Sequence, residues 1–566
     1  MNKKIVSILL TCALALSAFT GCGSKAPSSS IAANTPSAAP ESSAAPKEVS
    51  YWIDLQQSGS STATTMNDLA CWPIIQKNTN INIKWEHPAS GQGAEQFNLI
   101  MASNKLPDIM YYAWATSYPG GPEAAITEGK IIPLNDYIEK FAPNLNAYLK
   151  AHPDVAKDIT TDEGHIYCFP AVYTSTSQDS KVWQNAIERQ PFQEPFIGLI
   201  IRKDWLDELK LPVPKTMDDW YNVLKAFKEK KNAKYPMSYM GMMSEMAQSF
   251  AAGFDVTLPM TGMGSGSAFA VRKDGSVQYG PAESNYKEYL TFMNKLYSEG
   301  LLDPDYLVQD RPTLQSKILA GDVGAWIEMM PAGLGTLRSQ MLKADATSKF
   351  YPIGVANPVV KDGDTLRYYQ ANYAYTSSGA AITSSCKDIE TAMRLLDYCW
   401  GEEGNMLINW GVEGESYQMV DGWPQFTDKI LHDEKGQTPS QAHSCYRQLN
   451  GPFPMDHWQR LVSKRDYSLK EGEVDENLAS LNLWAKNGVQ PAGLPSVTVL
   501  SEESAEFGSK LNEVSTYVGE MSSKFITGQE PLNKFDEYIK TINQFGIERV
   551  LEIQTSALDR YNKRSK

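Results

Sequence analysis

Histidine and cysteine are scarce in this sequence, and neither is spaced as a metal site requires. The 566 residues include six histidines and seven cysteines. No two cysteines have the C-x-x-C spacing of a zinc site, and no two histidines stand four residues apart. These absences argue against a bound metal, and no cofactor is expected.

After Cys22 the cysteines are odd in number, which argues against a disulfide framework. They are Cys71, Cys168, Cys386, Cys399 and Cys445. We expect isolated buried thiols. An oxidising exterior would still allow one disulfide, and the sequence does not select its pair.

Motifs of the common enzyme and nucleotide sites are also missing. The chain contains neither G-x-S-x-G nor H-E-x-x-H. The glycine-rich segment Thr261–Ala268 matches neither G-x-G-x-x-G nor G-x-x-x-x-G-K-[ST], so we expect a flexible loop there. The aspartate pairs Asp303/Asp305 and Asp362/Asp364 lack the calcium-binding register that ends in a glutamate at its twelfth position.

The chain has no excess of positive charge, since 52 Lys and Arg stand against 66 Asp and Glu. It also has few long runs of apolar residues. The net charge of −14 makes the chain a poor partner for phosphate backbones, so nucleic-acid binding is not expected. Beyond Phe19 no stretch approaches the roughly 18 consecutive apolar residues of a membrane span. The body is too long for a single hydrophobic core, so two or more lobes are expected.

The one extended apolar run lies at the N-terminus and is typical of a signal peptide. Two lysines precede Ile5–Phe19, which is too short to cross a bilayer core of roughly 30 Å. Small residues then lead directly into Cys22, an arrangement that resembles the bacterial lipobox, although Phe19 stands where that motif usually has leucine. The resemblance implies cleavage before Cys22 and a diacylglycerol on its thiol. An ordinary signal peptide with an incidental cysteine is the alternative.

A segment poor in apolar residues follows this cysteine. Gly23–Glu48 consists mainly of Ser, Ala and Pro, and it cannot bury enough apolar surface to fold. As a flexible chain it would span roughly 30 Å, which suits a tether between a lipid and a globular body. We therefore expect a signal peptide over 1–21 and a disordered, lipid-anchored linker over 22–47.

The body alternates strand and helix patterns. VSYWIDLQ, INIKWEHP and LPDIMYYAW predict three strands, and helical patterns over Met66–Lys77 and Gln92–Ser103 separate them. Such a β-α-β-α-β run implies a parallel sheet covered by helices, with ligand beyond the carboxyl ends of the strands. Further strands are predicted in FIGLII, GDVGAWIEM and GAAITSS, with Thr216 as an N-cap, and the chain from Glu502 is helix-rich.

Seven segments spread over the chain resemble one family and occur in that family's order. They are Thr127–Leu145, Asp162–Pro170, Ile201–Lys228 (IRKDWLDELKLPVPKTMDDWYNVLKAFK), Lys273–Gly280, Leu296–Asp310, Trp410–Thr427 (WGVEGESYQMVDGWPQFT) and Ser523–Ile539. Together they resemble the large extracellular solute-binding proteins of bacterial ABC importers, in the group that binds oligosaccharides.

The resemblance implies an α/β, two-lobed fold of the periplasmic-binding-protein type, with hinge strands and a helix-rich C-terminal region. Lobe one would comprise 48–170 plus 378–455. Lobe two would comprise 171–377 plus 456–566. Ligand would lie in the cleft between the lobes, which close over it.

Candidate ligand-binding residues come from the predicted strand ends and from segments that border the cleft in the family. Sugars present apolar faces and a rim of hydroxyl groups, so a cleft that binds them needs aromatic rings, carboxylates and amides. The candidates are Trp52, Gln57, Trp114, Tyr173, Trp326, Glu328, Trp410, Glu413 and Tyr417. Each tryptophan could equally belong to the core, and each carboxylate could be a solvated surface group.

The sequence therefore predicts a lipoprotein that captures a carbohydrate, by resemblance an oligosaccharide, and delivers it to ABC permease subunits. It would act as a monomer, anchored by lipid to the outer face of the cell membrane, without catalysis. Three alternatives stay open: a binding protein for peptides or other solutes, a secreted polysaccharide-degrading enzyme, and a sensor without transport. The enzyme would need two carboxylates about 5–10 Å apart across a cleft, which counting acidic residues does not exclude.

Overall fold

A computed structural model describes most of the chain after the linker. The described residues are 45–174, 197–240, 244–258, 269–272, 274–365, 374–456, 462, 469, 473–486 and 494–564. The predicted signal peptide, Cys22, most of the linker and the glycine-rich segment Thr261–Ala268 lie outside the described residues.

The described strands form two larger sheets and two hairpins. They are β1 (Lys47–Trp52), β2 (Ile81–Glu86), β3 (Ile109–Tyr112), β4 (Phe169–Thr174), β5 (Ile197–Arg202), β6 (Tyr235–Ser238), β7 (Phe269–Val271), β8 (Val277–Tyr279), β9 (Val323–Met329), β10 (Pro352–Val355), β11 (Tyr375–Ile382), β12 (Tyr417–Val420), β13 (Trp423–Phe426) and β14 (Pro454–Asp456). The first sheet has the order β14-β4-β11-β3-β1-β2, and the second has the order β10-β5-β9-β6. The pairs β7-β8 and β12-β13 complete the set.

Helices alternate with these strands and follow one another near the C-terminus. They are α1 (Cys71–Thr79), α2 (Gly93–Ser103), α3 (Trp114–Ser117), α4 (Gly121–Thr127), α5 (Asn135–Phe141), α6 (Pro143–Ala151), α7 (Pro153–Asp158), α8 (Lys203–Leu209), α9 (Met217–Lys231), α10 (Ser244–Ala251), α11 (Tyr286–Ser298), α12 (Arg311–Leu319), α13 (Thr336–Ala344), α14 (Ile389–Tyr398), α15 (Glu402–Trp410), α16 (Asp428–Leu431), α17 (Pro439–His443), α18 (Glu476–Lys486), α19 (Ser501–Thr527), α20 (Phe535–Gln544) and α21 (Ile547–Lys563). The predicted α/β class and helix-rich C-terminal region are confirmed.

The first sheet begins with the β-α-β-α-β run that the sequence predicts. β1 pairs in parallel with both β2 and β3. In β2, Ile81 and Ile83 are buried while Asn82 and Lys84 are exposed, because alternate side chains of a strand point to opposite faces. The prediction of a parallel sheet is confirmed for these three strands, and their carboxyl ends meet at one edge.

One helix boundary differs from the prediction. The pattern predicts a helix over Met66–Lys77 that Pro73 breaks, whereas α1 begins at Cys71 and holds Pro73 in its first turn. A proline is tolerated there because the amides of the first turn have no partner within the helix.

The predicted N-cap of α9 is confirmed. The amide of Asp219 donates to Oγ1 of Thr216 at 3.1 Å, and the amide of Thr216 donates to Oδ2 of Asp219 at 3.0 Å. This reciprocal arrangement satisfies two amides at the start of the helix.

The second sheet is mixed and deeply buried. All six residues of β5 are buried. β5 is antiparallel to β9 and to β10, while β6 runs parallel to β9. β6, β9 and β10 therefore end at the same edge, where β5 begins.

Two hydrophobic clusters divide the core. One collects buried residues from Val49–Val172, Tyr375–Ile408 and Phe453–Met455. The other collects residues from Ile197–Val355, Trp410–Ala442 and Val462–Tyr561. The chain therefore returns to each cluster after leaving it. The residues at which the two predicted lobes begin and end stay a prediction.

The C-terminal helices pack largely into the second cluster. α21 buries Ile547, Val550 and Leu558 there. Near its end, Tyr561 Oη donates to Asp158 at 2.6 Å, and Arg564 Nε lies 2.7 Å from a carboxylate oxygen of Asp162. The last helix thus also contacts the segment that leads into β4. No described helix combines the length and apolar character needed to cross a membrane.

Candidate ligand-binding cleft

One edge of each larger sheet gathers the ends of several strands. In the first sheet, β11 is antiparallel to β3 and β4, and β14 is parallel to β4. The carboxyl ends of β1, β2, β3, β4 and β14 and the start of β11 therefore share an edge, which we name the first edge. The carboxyl ends of β6, β9 and β10 and the start of β5 form the second edge.

The chain passes between these two edges three times. β4 ends at Thr174 on the first edge, and β5 begins at Ile197 on the second. β10 ends at Val355, and β11 begins at Tyr375. β14 ends at Asp456, and the next described helix, α18, packs on β10 through Ser480 and Trp484. Crossings that join the same two edges make the space between them the candidate ligand-binding cleft.

On the first edge, the turn after β1 is held from both sides. Oδ1 of Asp54 accepts the amide of Gln56 at 2.8 Å and so caps the turn Leu55–Ser58. The carbonyl of Gln57 accepts the amides of Leu449 and Asn450, each at 3.1 Å. Gln57 therefore joins β1 to the segment that leads into β14, and its half-buried side chain stays at the edge.

Trp410 is fixed to the same edge by two polar contacts. Its indole Nε1 donates to Oδ2 of Asp456 at 2.6 Å, and its carbonyl lies 2.9 Å from Nε2 of His443. Burial, together with the nearby positive charge of Arg447, lowers the pKa of His443 to about 3. The imidazole is therefore neutral at physiological pH, and its one N–H can donate to the Trp410 carbonyl.

The second edge carries an ion pair of unequal burial. Glu328, the second-last residue of β9, has a fully buried side chain, while Arg311 at the start of α12 is 37% exposed. Nε of Arg311 lies 3.2 Å from Oε2 of Glu328, and Nη2 lies 3.2 Å from Oε1. The two parallel contacts fix the guanidinium plane beside the end of β9.

The four tryptophans among the predicted site residues are buried. Trp52 packs edge-on against Tyr112 at 5.5 Å, and Trp114 packs against Phe97 at 5.2 Å. Trp326 stacks with Phe350 at 6.2 Å and donates to the carbonyl of Gly333. Trp410 is likewise enclosed. In this conformation none presents an exposed ring face, so their role as sugar platforms stays a prediction.

The other predicted site residues differ widely in exposure. Tyr173 is half-buried at the end of β4, Tyr417 is buried 5.9 Å from Trp410, and Glu413 is exposed in the turn between them. Glu328 is enclosed behind Arg311. The structure therefore brings Trp410 and Tyr417 together, whereas Trp326 and Glu328 belong to the second sheet.

Two polar residues at these edges were missed by the sequence reasoning. Neither Asp456 nor Arg311 lies in a sequence motif that indicates a binding site. The signal for Asp456 was its place at the end of the short segment FPMD. The signal for Arg311 was its place after Asp310, whose side chain accepts the amide of Thr313 and caps α12. Among the described residues, no three His, Cys, Asp or Glu side chains are placed to hold a metal ion.

Three similarities to known proteins are clear. The chain is 23% identical over 504 residues to the fructooligosaccharide ABC transporter substrate-binding protein FusA of Streptococcus pneumoniae serotype 4, covering 86% of each chain. It is 22% identical to Lipoprotein LipO of Bacillus subtilis, covering 83% of this chain and 85% of LipO. Its fold matches the crystal structure of the alginate-binding protein AlgQ2 with a TM-score of 0.69, at 22% identity, over 91% of this chain and 98% of that one.

The family assignment rests on a match that covers more than half of the sequence. Residues 59–406 match the model of the bacterial extracellular solute-binding proteins. That span includes β2 to β11 and α1 to α15 up to Met406, and therefore most of both edges of the cleft. The chain belongs to the bacterial extracellular solute-binding protein family.

Proposed function

We propose that the chain captures a carbohydrate, an oligosaccharide, in the cleft between the first and second edges and delivers it to the permease subunits of an ABC importer. The observation that carries the proposal is the family membership together with the three chain crossings that join the two edges. The similarity to FusA, whose name states a fructooligosaccharide ligand, supports a saccharide as the cargo.

Capture would work through differential affinity. A ligand that contacts both edges binds the closed arrangement more strongly than the open one, so it shifts the population towards closure. The permease would then recognise the closed form. Binding alone performs this task, and no covalent step is needed.

A thermal-shift screen tests the cargo class. The purified chain would be melted with neutral oligosaccharides, acidic oligosaccharides, peptides and amino acids. A ligand present at 100 times its Kd stabilises the folded state by about 2.7 kcal/mol, so one group of saccharides should raise the midpoint by several degrees. If a peptide raised the midpoint and no saccharide did, the carbohydrate proposal would be wrong. Release of reducing ends from a polysaccharide would contradict a purely binding role.

The anchor is tested at Cys22. We propose that a lipid on this cysteine holds the protein to the outer face of the cell membrane, and the similarity to Lipoprotein LipO supports this. Replacement by serine, Cys22→Ser, should move most of the protein from the membrane fraction to the medium, because the hydroxyl cannot take the thioether-linked lipid. Cys445→Ser is the matched control and should stay in the membrane fraction. Equal partition of both variants would contradict the anchor.

A further inference from the structure

We propose that the guanidinium of Arg311 donates hydrogen bonds to the hydroxyl oxygens of an uncharged sugar in the cleft, and that Glu328 is the positioning residue behind it. The inference rests on the proposed function, since it names the chemical class of saccharide and one group that contacts it.

Arg311 and Glu328 lie at the second edge. Met329, the last residue of β9, stands opposite Ile197, the first residue of β5, so Glu328 lies next to the second edge. α12 begins at Arg311, directly after its N-cap Asp310. Nη2 of Arg311 also approaches the sulfur of Met329 at 3.4 Å. The guanidinium therefore lies where β9 ends, beside the residue opposite the start of β5.

Arg311 and Glu328 differ in access to solvent. Oε1 of Glu328 accepts the amide of Met329 at 2.8 Å, and the turn Pro331–Gly335 packs against the aliphatic part of the same side chain. A Cβ placed on Gly333 would lie only 2.4 Å from Cβ and Cγ of Glu328, so the turn fits closely over this side chain. In this conformation the Glu328 side chain exposes no surface to a ligand, so we assign it the positioning role rather than the binding role that the sequence suggests. A ligand can reach Arg311, whose exposed fraction is 37%.

The guanidinium of Arg311 keeps N–H donors that Glu328 does not occupy. Glu328 engages Nε and Nη2 of the guanidinium. Within the part of the chain that the structure describes, Nη1 of Arg311 contacts no acceptor. A guanidinium carries five N–H groups in a rigid plane, so the two N–H groups of Nη1 stay in a fixed plane and can donate to acceptors of a ligand. The hydroxyl oxygens of a sugar ring are acceptors of this kind.

The charges around Arg311 favour an uncharged ligand. Glu328 neutralises the charge of Arg311. The preceding residue, Asp310, carries a second carboxylate. A ligand carboxylate at Nη1 would therefore feel the nearby Glu328 charge in a partly desolvated site, where screening is weak. A hydroxyl accepts hydrogen bonds from Nη1 without that repulsion and without the cost of desolvating a second negative charge, so an uncharged sugar is the favoured occupant.

The test uses isothermal titration calorimetry on the purified chain. The probe is the saccharide that gives the largest thermal shift among neutral fructo-, malto- and xylo-oligosaccharides and acidic oligogalacturonides. The double variant Arg311→Met/Glu328→Gln removes both charges at similar volume, so the fold does not retain a buried unpaired carboxylate. It should weaken binding of a neutral probe at least 10-fold, while the melting midpoint without ligand stays close to that of the wild type.

Two further variants distinguish direct contact of Arg311 with the ligand from the positioning role of Glu328. In a double-mutant cycle, Glu328→Gln alone should weaken binding several-fold, yet it should add nothing in the Arg311→Met background, because Glu328 acts only through Arg311. Arg394→Met is the matched control, since Arg394 forms an exposed pair with Glu390 on α14, and its Kd should equal that of the wild type.

The outcomes are distinct. A double variant that binds the neutral probe within 2-fold of the wild type would overturn the role of Arg311, while saccharide binding by the wild type would leave the proposed function standing. An acidic saccharide as the strongest wild-type ligand would overturn the preference for an uncharged sugar. If the wild type bound no saccharide, the proposed function itself would fail.

Discussion

Replacing Asp303 with alanine is expected to destabilise the folded protein by about 3–5 kcal/mol, since it leaves a mostly buried lysine without its main partner. The Asp303 side chain is fully buried, and the Lys317 side chain is only 13% exposed. Oδ2 of Asp303 lies 2.7 Å from Nζ of Lys317 and also accepts the hydroxyl of Ser238 at 2.7 Å. Ser238 is the last residue of β6, so the pair also fixes the second edge. Denaturation in urea, followed by tryptophan fluorescence, measures the loss.

The same lysine provides the matched control. Asp305 also lies 3.1 Å from Nζ of Lys317, but its side chain is 57% exposed. Asp305→Ala should therefore cost less than about 1 kcal/mol, as exposed ion pairs do. The double variant Asp303→Leu/Lys317→Met should recover much of the loss, because it removes both buried charges together. Equal effects of Asp303→Ala and Asp305→Ala would show that burial does not govern this pair.

Local sequence patterns predicted the parts of the fold that depend on residues close in sequence. The alternation of Ile81 and Ile83 with polar neighbours predicted β2, and Thr216 with Asp219 predicted the start of α9. Both depend on residues within one strand or one helical turn. The predicted start of α1 at Met66 was wrong by five residues. At the observed start, the amides of Ala70 and Cys71 donate to the carbonyls of Cys445 and Tyr446, which a local pattern does not include.

The site was harder to predict because its residues are buried by distant parts of the chain. The sequence places Trp326 and Glu328 on a strand that ends at the cleft, and β9 does end there. It does not show that the turn Pro331–Gly335 encloses Glu328 or that Arg311 lies in front of it. For Trp410, the partners Asp456 and His443 come from two further segments. Strand ends are set locally, whereas the exposure of a side chain is set by tertiary packing.

A second large effect should come from pH, through a carboxyl group that joins the last helix to the segment before β4. Asp158 is buried, and it accepts a hydrogen bond from Tyr561 Oη at 2.6 Å. Burial raises the pKa of Asp158 to about 6, although the Tyr561 hydrogen bond opposes the shift. The charge of Asp154 adds to the increase, and the charges of Arg564 and Lys157 reduce it. The folded state therefore holds a proton on Asp158 at pH values where the unfolded chain has lost it.

Stability from this group is fully present below the ordinary carboxyl pKa of 3.8 and is lost as the pH rises through about 6. At about 1.36 kcal/mol for each pH unit between those values, the loss amounts to about 3 kcal/mol. Asp158→Asn stays neutral and can still accept the Tyr561 hydrogen bond. Relative to the wild type, its free energy of unfolding should therefore rise by about 3 kcal/mol between pH 3 and pH 7. Urea denaturation at four pH values measures both curves.

Asp154→Asn is the control and should keep most of the wild-type slope, because it leaves the buried carboxyl in place. If the free energy of unfolding depended on pH in the same way in the wild type and in Asp158→Asn, Asp158 would have an ordinary pKa in the folded protein. The contact between α21 and the segment before β4 would then not bury a titrating carboxyl group.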